Sequence, residues 1–206
     1  CFILVVCPVV DNLVCSGNAY AVVAYCIIRN NLVRELFVPF IEDVEGMYAL
    51  CYYHMSPMPE RDQSVTAQAI IAITEFMSRY PESENIDEFN DMLDELTTRL
   101  MQKSYMNAYT YYKIGRYKSA IVAFKNAMKR HPDSPYTEQM MYYQTVSAYR
   151  LAENSIESKQ VDRYLAMLDN YYSFLAEYPE SKYVKELARM AKSARSFLDK
   201  NANTEE

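Results

Sequence analysis

The 206-residue chain has no tryptophan, three glycines and two histidines. With so few glycines it has no glycine-rich loop to cradle a phosphate, and neither histidine stands beside a nucleophile motif. No catalytic constellation is therefore assembled, and acidic neighbours such as Asp94 and Glu95 read as solvated helix faces. The five cysteines at 1, 7, 15, 26 and 51 form no C-x-x-C and have no histidine cluster nearby, so neither a metal site nor a thioredoxin-like motif is present. Their odd number and apolar neighbours predict buried free thiols. A net charge of −6 and a pI near 5.1 give no footprint for nucleic acid. Long hydrophobic runs are missing as well. The apolar runs 1–10 and 19–28 are broken by Asp11-Asn12 and Ser16-Gly17-Asn18, short of the roughly 18 to 20 residues of a membrane span. No cofactor is expected, and no enzyme.

Half of the residues are hydrophobic, and tyrosine occurs twenty times. After residue 47 good helix formers dominate, which predicts an all-α chain. Met101 to Ser134 has the length and punctuation of a 34-residue helix–turn–helix repeat of the tetratricopeptide (TPR) kind, with Ala108, Tyr111, Gly115, Tyr117, Ala120, Phe124, Ala127 and Pro132 at its marker positions. Ala108 and Ala120 let two antiparallel helices approach, Tyr111 and Phe124 are expected to fill the space around that contact, and Gly115 accepts the turn. Pro132 stops the second helix.

A single repeat cannot bury its own faces, and the sequence supplies neighbours. An apolar helix end, Tyr or His, Pro, an acid and Ser recur around Pro81, Pro132 and Pro179. Ser83, Ser134 and Ser181 are expected to N-cap the next helices, with Glu88, Glu138 and Glu186 in their early turns. Taken in order, 48–55 ends an inner helix, 56–63 is a loop and 64–81 is a second helix whose Ala69, Ile73 and Phe76 match Ala120, Phe124 and Ala127. A long helix over 84–114 carries the stripe Ile86, Phe89, Leu93, Leu96 and Leu100. Residues 135–154 and 160–178 form a further pair around a polar loop, and 182–199 a capping helix with Leu187, Met190, Ala194 and Phe197 on one face. His54 reads as a loop or packing residue.

Residues 1–46 differ in kind, holding four of the five cysteines and two of the three glycines, with no lysine. No initiating Met or basic segment precedes an apolar core, so any signal peptide is expected to have been removed or to lie outside the sequence. Cys1 is a candidate lipidated N-terminus, although Phe-Ile-Leu-Val-Val follows it in place of a polar tether. The expectation is that much of 1–46 is foreign to the fold, for instance translated from a shifted reading frame. The domain reading is thus an atypical segment 1–46, a repeat domain 47–199 and a disordered tail 200–206. The array as a whole is expected to be an α-solenoid closed by its capping helix.

Two partner surfaces follow from this register. The inner helix of the central repeat presents Gln102, Tyr105, Tyr109, Tyr112 and Lys113, an aromatic row with one cation that could grip an extended or helical segment; the same tyrosines could instead be core. Arg189, Lys192 and Arg195 make a basic edge suited to an acidic domain.

From about 47 to 199 the sequence also resembles the BamD family, TPR lipoproteins of the outer-membrane β-barrel assembly machinery. The resemblance rests on Pro59, Asp62, Gln63, Thr66 and Ala69 at the spacing of that family's Pro-x-x-Asp-Gln-x-x-Thr-x-x-Ala. It also rests on the run Asp94, Arg99, Leu100, Lys103, Ala108, Tyr111, Tyr112, Gly115, Tyr117 and Ala120, and on the repeated Pro closures. Ser104 stands where the family usually has an acid, and 1–46 do not resemble its lipidation segment and first repeats. The resemblance implies a non-catalytic scaffold at the periplasmic face of the outer membrane, binding the periplasmic domains of the barrel-forming subunit, with unfolded barrel segments as further partners. The residues alone equally allow a generic TPR adaptor, periplasmic or cytosolic, or a self-associating structural protein.

Overall fold

The computed structural model describes residues 41–202. They fall into two compact units, one ending at Leu100 and one beginning at Met101. Among the described residues all regular structure is helical: α1 (Ile41–Met55), α2 (Ser64–Arg79), α3 (Ile86–Lys113), α4 (Tyr117–Arg130), α5 (Thr137–Glu153), α6 (Glu157–Glu177) and α7 (Val184–Ala202). The fold is all-α and built from TPR-like antiparallel helix pairs. No helix among the described residues is long and apolar enough to cross a membrane.

In the first unit α1 and α2 pair, and the first half of α3 covers them. Ala49, Ala69, Ile73, Phe76, Phe89 and Leu96 form the core, with the Phe76 and Phe89 rings 4.6 Å apart. The second unit has two clusters. Ala108 of α3 meets Ala120, Phe124 and Ala127 of α4, and Met140 of α5 joins them. Leu187, Ala191 and Ala194 of α7 pack with Val146 and Ala152 of α5 and Met167 and Phe174 of α6. Each fully buried Phe or Leu side chain contributes about 1.5–3 kcal/mol of transfer free energy. Apolar residues three and four apart are what place these side chains on one face of each helix.

The Pro-centred closures are the same device used three times. Tyr80, His131 and Tyr178 end α2, α4 and α6 with backbone angles near φ −130° and ψ 70°, and their N–H groups bond Phe76, Ala127 and Phe174. The residue before a proline is pushed out of the helical region, which is why the helices stop there. The side-chain oxygens of Ser83, Ser134 and Ser181 then accept from the N–H two residues on, at 3.4, 3.2 and 3.1 Å. These serines cap the connecting turn and not the helix itself, since α3, α5 and α7 begin three residues later. Aligned on the closures, Ala69, Ala120 and Met167 coincide, as do Ile73, Phe124 and Tyr171, and all six are buried.

Several other expectations change. Helix α1 already includes residues 41–46, so the helical character begins before Met47. Val44 and Gly46 are buried, and a Cβ at Gly46 would come within 3.3 Å of the Phe76 ring. Residues 1–40, with Cys1 and the expected foreign segment, lie outside the described residues, as do 203–206 of the tail; Lys200–Ala202 continue α7. The polar loop at 153–160 shrinks to 154–156 because α6 starts at Glu157. Tyr111 is 44% exposed and fills no core space. It lies a little under a quarter of a turn from the middle of the face defined by Ala108 and Tyr112, so Tyr112 packs inward in its place. Gly115 does take the left-handed turn conformation, at φ +74°. Cys51 is buried and is a thiol, not half of a disulfide.

Candidate partner-binding surfaces

The motif that opens α2 turns out to be a structural staple. Asp62 accepts from the Ser64 N–H at 3.1 Å and from its hydroxyl, holding the start of the helix. Gln63 Nε2 donates to the carbonyls of Met58 and Arg61, and its Oε1 accepts from Thr66, whose hydroxyl pairs with that of Ser56 at 2.8 Å. Arg99 of α3 closes the network onto Ser56 and pairs with Glu95, which in turn accepts from the Tyr53 hydroxyl. The Tyr53 and Arg99 bonds hold the Glu95 carboxyl below its ordinary pKa. These residues spend their polar groups on the loop 56–63.

The tyrosine row is both packed and accessible. Tyr105, Tyr109 and Tyr112 are each half-buried along α3. Tyr105 stacks on Tyr109 at 5.8 Å and on Tyr136 at 5.4 Å, while Tyr143 of α5 lies 4.8 Å from Tyr109 and 5.0 Å from Tyr112. Lys113 sits 5.5 Å from the Tyr109 ring, a cation over a π face, and Gln102 is half-buried at the head of the row. Burial, helped by the neighbouring tyrosines, pushes the Tyr105 hydroxyl up to about 12, and burial likewise raises Tyr112, Tyr142 and Tyr143. Tyr105 and Tyr112 therefore offer neutral hydroxyls at ordinary pH. Tyr136, Tyr142, Tyr143 and Tyr183 belong to the same aromatic network and were not singled out from the sequence. A 34-residue register marks one inner helix; only the packing of α3 against α5 shows which rings from the next repeat reach it.

The three basic residues of α7 differ in their surroundings. Arg189, Lys192 and Arg195 are exposed on α7. Arg195 is braced against α6, donating to the Tyr172 hydroxyl at 2.8 Å with its guanidinium 5.6 Å from that ring. Lys182 and Lys185 extend the stripe toward the start of the helix, at the three- and four-residue spacing that puts them on the same side. Glu186 accepts from the Tyr142 hydroxyl at 2.9 Å, which turns its carboxylate toward α5. No group of His, Cys, Asp and Glu placed to hold a metal occurs among the described residues.

Stacked helix pairs with an aromatic row and a charged end define the second unit as a TPR-like helical-repeat module. Residues 97–203 match the sequence profile of the YfiO family, described as an outer membrane lipoprotein, and the chain belongs to this BamD-type family. The chain is also similar to the outer membrane protein assembly factor BamD of Caulobacter vibrioides, with 29% identity over 112 residues, which are 54% of this chain and 36% of that protein. The match thus spans about a third of the relative's length.

Proposed function

We propose that this chain is a non-catalytic scaffold in the assembly of outer-membrane β-barrel proteins, acting at the periplasmic face of the outer membrane. The observation that carries the reading is the family match, which covers all of α4 to α7 and so the unit that holds both candidate surfaces. The cationic edge of Arg189, Lys192 and Arg195 suits an acidic periplasmic domain of the barrel-forming subunit, and the half-buried row of Tyr105, Tyr109 and Tyr112 suits an apolar or aromatic segment of an unfolded barrel substrate. Anchoring is by lipid on a cysteine where a signal and lipobox precede the mature chain. The test is a pull-down from outer-membrane extract with the chain as bait. Recovery of the barrel-forming subunit, weakened when Arg189 and Lys192 are both changed to Glu, supports the reading; recovery only of soluble cytosolic chaperones overturns it in favour of a generic TPR adaptor.

A further inference from the structure

We propose that a pocket between α1 and the start of α3 takes a lysine side chain from a basic segment of a partner polypeptide. The pocket encloses about 190 Å³. That is below the roughly 300–1,000 Å³ of a site that holds a whole small ligand, so it suits one side chain of something larger. Every residue that lines it belongs to the first unit.

The lining divides into an apolar wall and an acidic rim. Met47 and Leu50 of α1 form the accessible wall, with the Phe76 and Phe89 rings, each 2% exposed, behind it. Glu42, Asp43 and Glu88 supply three carboxylates, and none of them is in an ion pair or a hydrogen bond among the described residues. The one other polar side chain in the lining is the neutral Asn85, so no cation there answers their charge.

The unit around the pocket has the same imbalance. Residues 41–100 hold thirteen Asp and Glu against three Arg and no Lys, and two of those arginines are already engaged, Arg79 with Glu45 and Arg99 with Glu95. Asp91 is exposed three residues after Glu88 on the same side of α3, which carries the negative potential past the pocket to further basic residues of the same segment.

Other occupants fit less well. An anion meets like charge. A divalent metal ion needs several converging oxygen ligands, and no group of three or more acidic, His or Cys side chains placed to hold one occurs among the described residues. A purely apolar side chain would strip water from the carboxylates and return no hydrogen bond. Lysine answers both halves of the lining, because its four-carbon stem lies along apolar surface while the ammonium stays with the carboxylates.

The probe is a rhodamine-labelled decapeptide of alternating serine and lysine, followed by anisotropy against the full chain. The expected result is saturable binding that falls roughly ten-fold or more in the double variant Glu42→Gln, Glu88→Gln. It should fall roughly five-fold or more when diaminobutyric acid, which keeps the charge on a stem two methylenes shorter, replaces lysine. Glu82→Gln with Asp94→Asn removes the same charge from exposed positions outside the pocket and should cost about two-fold or less. Helical circular dichroism of both double variants should match the wild type. Equal losses in the two double variants, undiminished binding of the short-stemmed peptide, or no binding at millimolar concentration overturns the proposal. Displacement of the probe by spermidine at lower concentration than by the unlabelled peptide overturns it in favour of a free polyamine. The result is separable from the pull-down, since the pocket uses no residue of the second unit.

Discussion

Arg99 reaches back 43 residues to Ser56, its Nη1 donating to the Ser56 carbonyl at 3.1 Å and to the hydroxyl at 2.9 Å. The same guanidinium pairs with Glu95 through Nη2. One side chain therefore ties the loop folded by Gln63 to the helix that covers it. Arg99→Ala should cost about 1.5–3 kcal/mol in urea unfolding, the range for hydrogen bonds to a charged group. Arg99→Lys should recover less than half of that, because an ammonium cannot serve Ser56 and Glu95 in one planar geometry. Equal stability of the Arg99→Lys variant and the wild type would show that charge alone matters.

Ala120 is fully buried where α3 and α4 meet, with Ala108 beside it. Ala120→Leu should overpack this contact and destabilise by about 1–3 kcal/mol. A change near zero in the urea midpoint would contradict the close approach of the two helices.

His131 stands where the other two closures have Tyr80 and Tyr178. Its pKa is lowered, by burial first and by Arg130 second. A group that prefers to be neutral in the fold contributes fully above the unfolded value of about 6.5, and that contribution is lost as pH falls below it, because the unfolded chain takes up the proton first. His131→Tyr should therefore flatten the pH dependence of stability on the acid side of 6.5, measured as the thermal midpoint across that window. An unchanged slope would assign the dependence to other groups.

The tyrosines of the second unit set the alkaline limit. Tyr105 ionises at about 12, and Tyr112, Tyr142 and Tyr143 are raised in the same direction. Their contribution is complete below pH 10 and is lost as pH rises through the folded values, since only the unfolded chain ionises readily there. A spectroscopic titration should show a late fraction of tyrosinate that appears together with loss of helical circular dichroism. Changing Tyr105 and Tyr143 to Phe should shrink that late fraction.

The helical ends were legible because Pro, Gly and apolar spacing act locally: Pro81, Pro132 and Pro179 stop α2, α4 and α6, and Gly115 turns the chain. The second helices were legible for the same reason, since Ala120, Phe124 and Ala127 share a face whatever surrounds them. What escaped notice depends on distant partners. Tyr111 and Tyr112 are adjacent in sequence and of one residue type, and only the position of Tyr143 decides that Tyr112 is the inner one. The bracing of Arg195 by Tyr172 and the capture of Glu186 by Tyr142 likewise join residues that no local pattern links. A polar residue in a helix reads as surface until the helices on either side of it are in place.

The bonds that join one first helix to the next all span similar stretches of chain: 42 residues for Tyr53–Glu95, 43 for Ser56–Arg99 and Glu138–Ser181, and 44 for Tyr142–Glu186 and Tyr149–Ser193. Loop-closure entropy grows only slowly with length, by about 0.6 kcal/mol per doubling, so each closure meets nearly the same cost wherever it occurs. Contacts of such short range favour fast folding and need no distant segment to arrive first. A chain delivered unfolded from its N-terminal end can therefore lock each helix pair as soon as the following forty or so residues have appeared, keeping little apolar surface waiting for a partner.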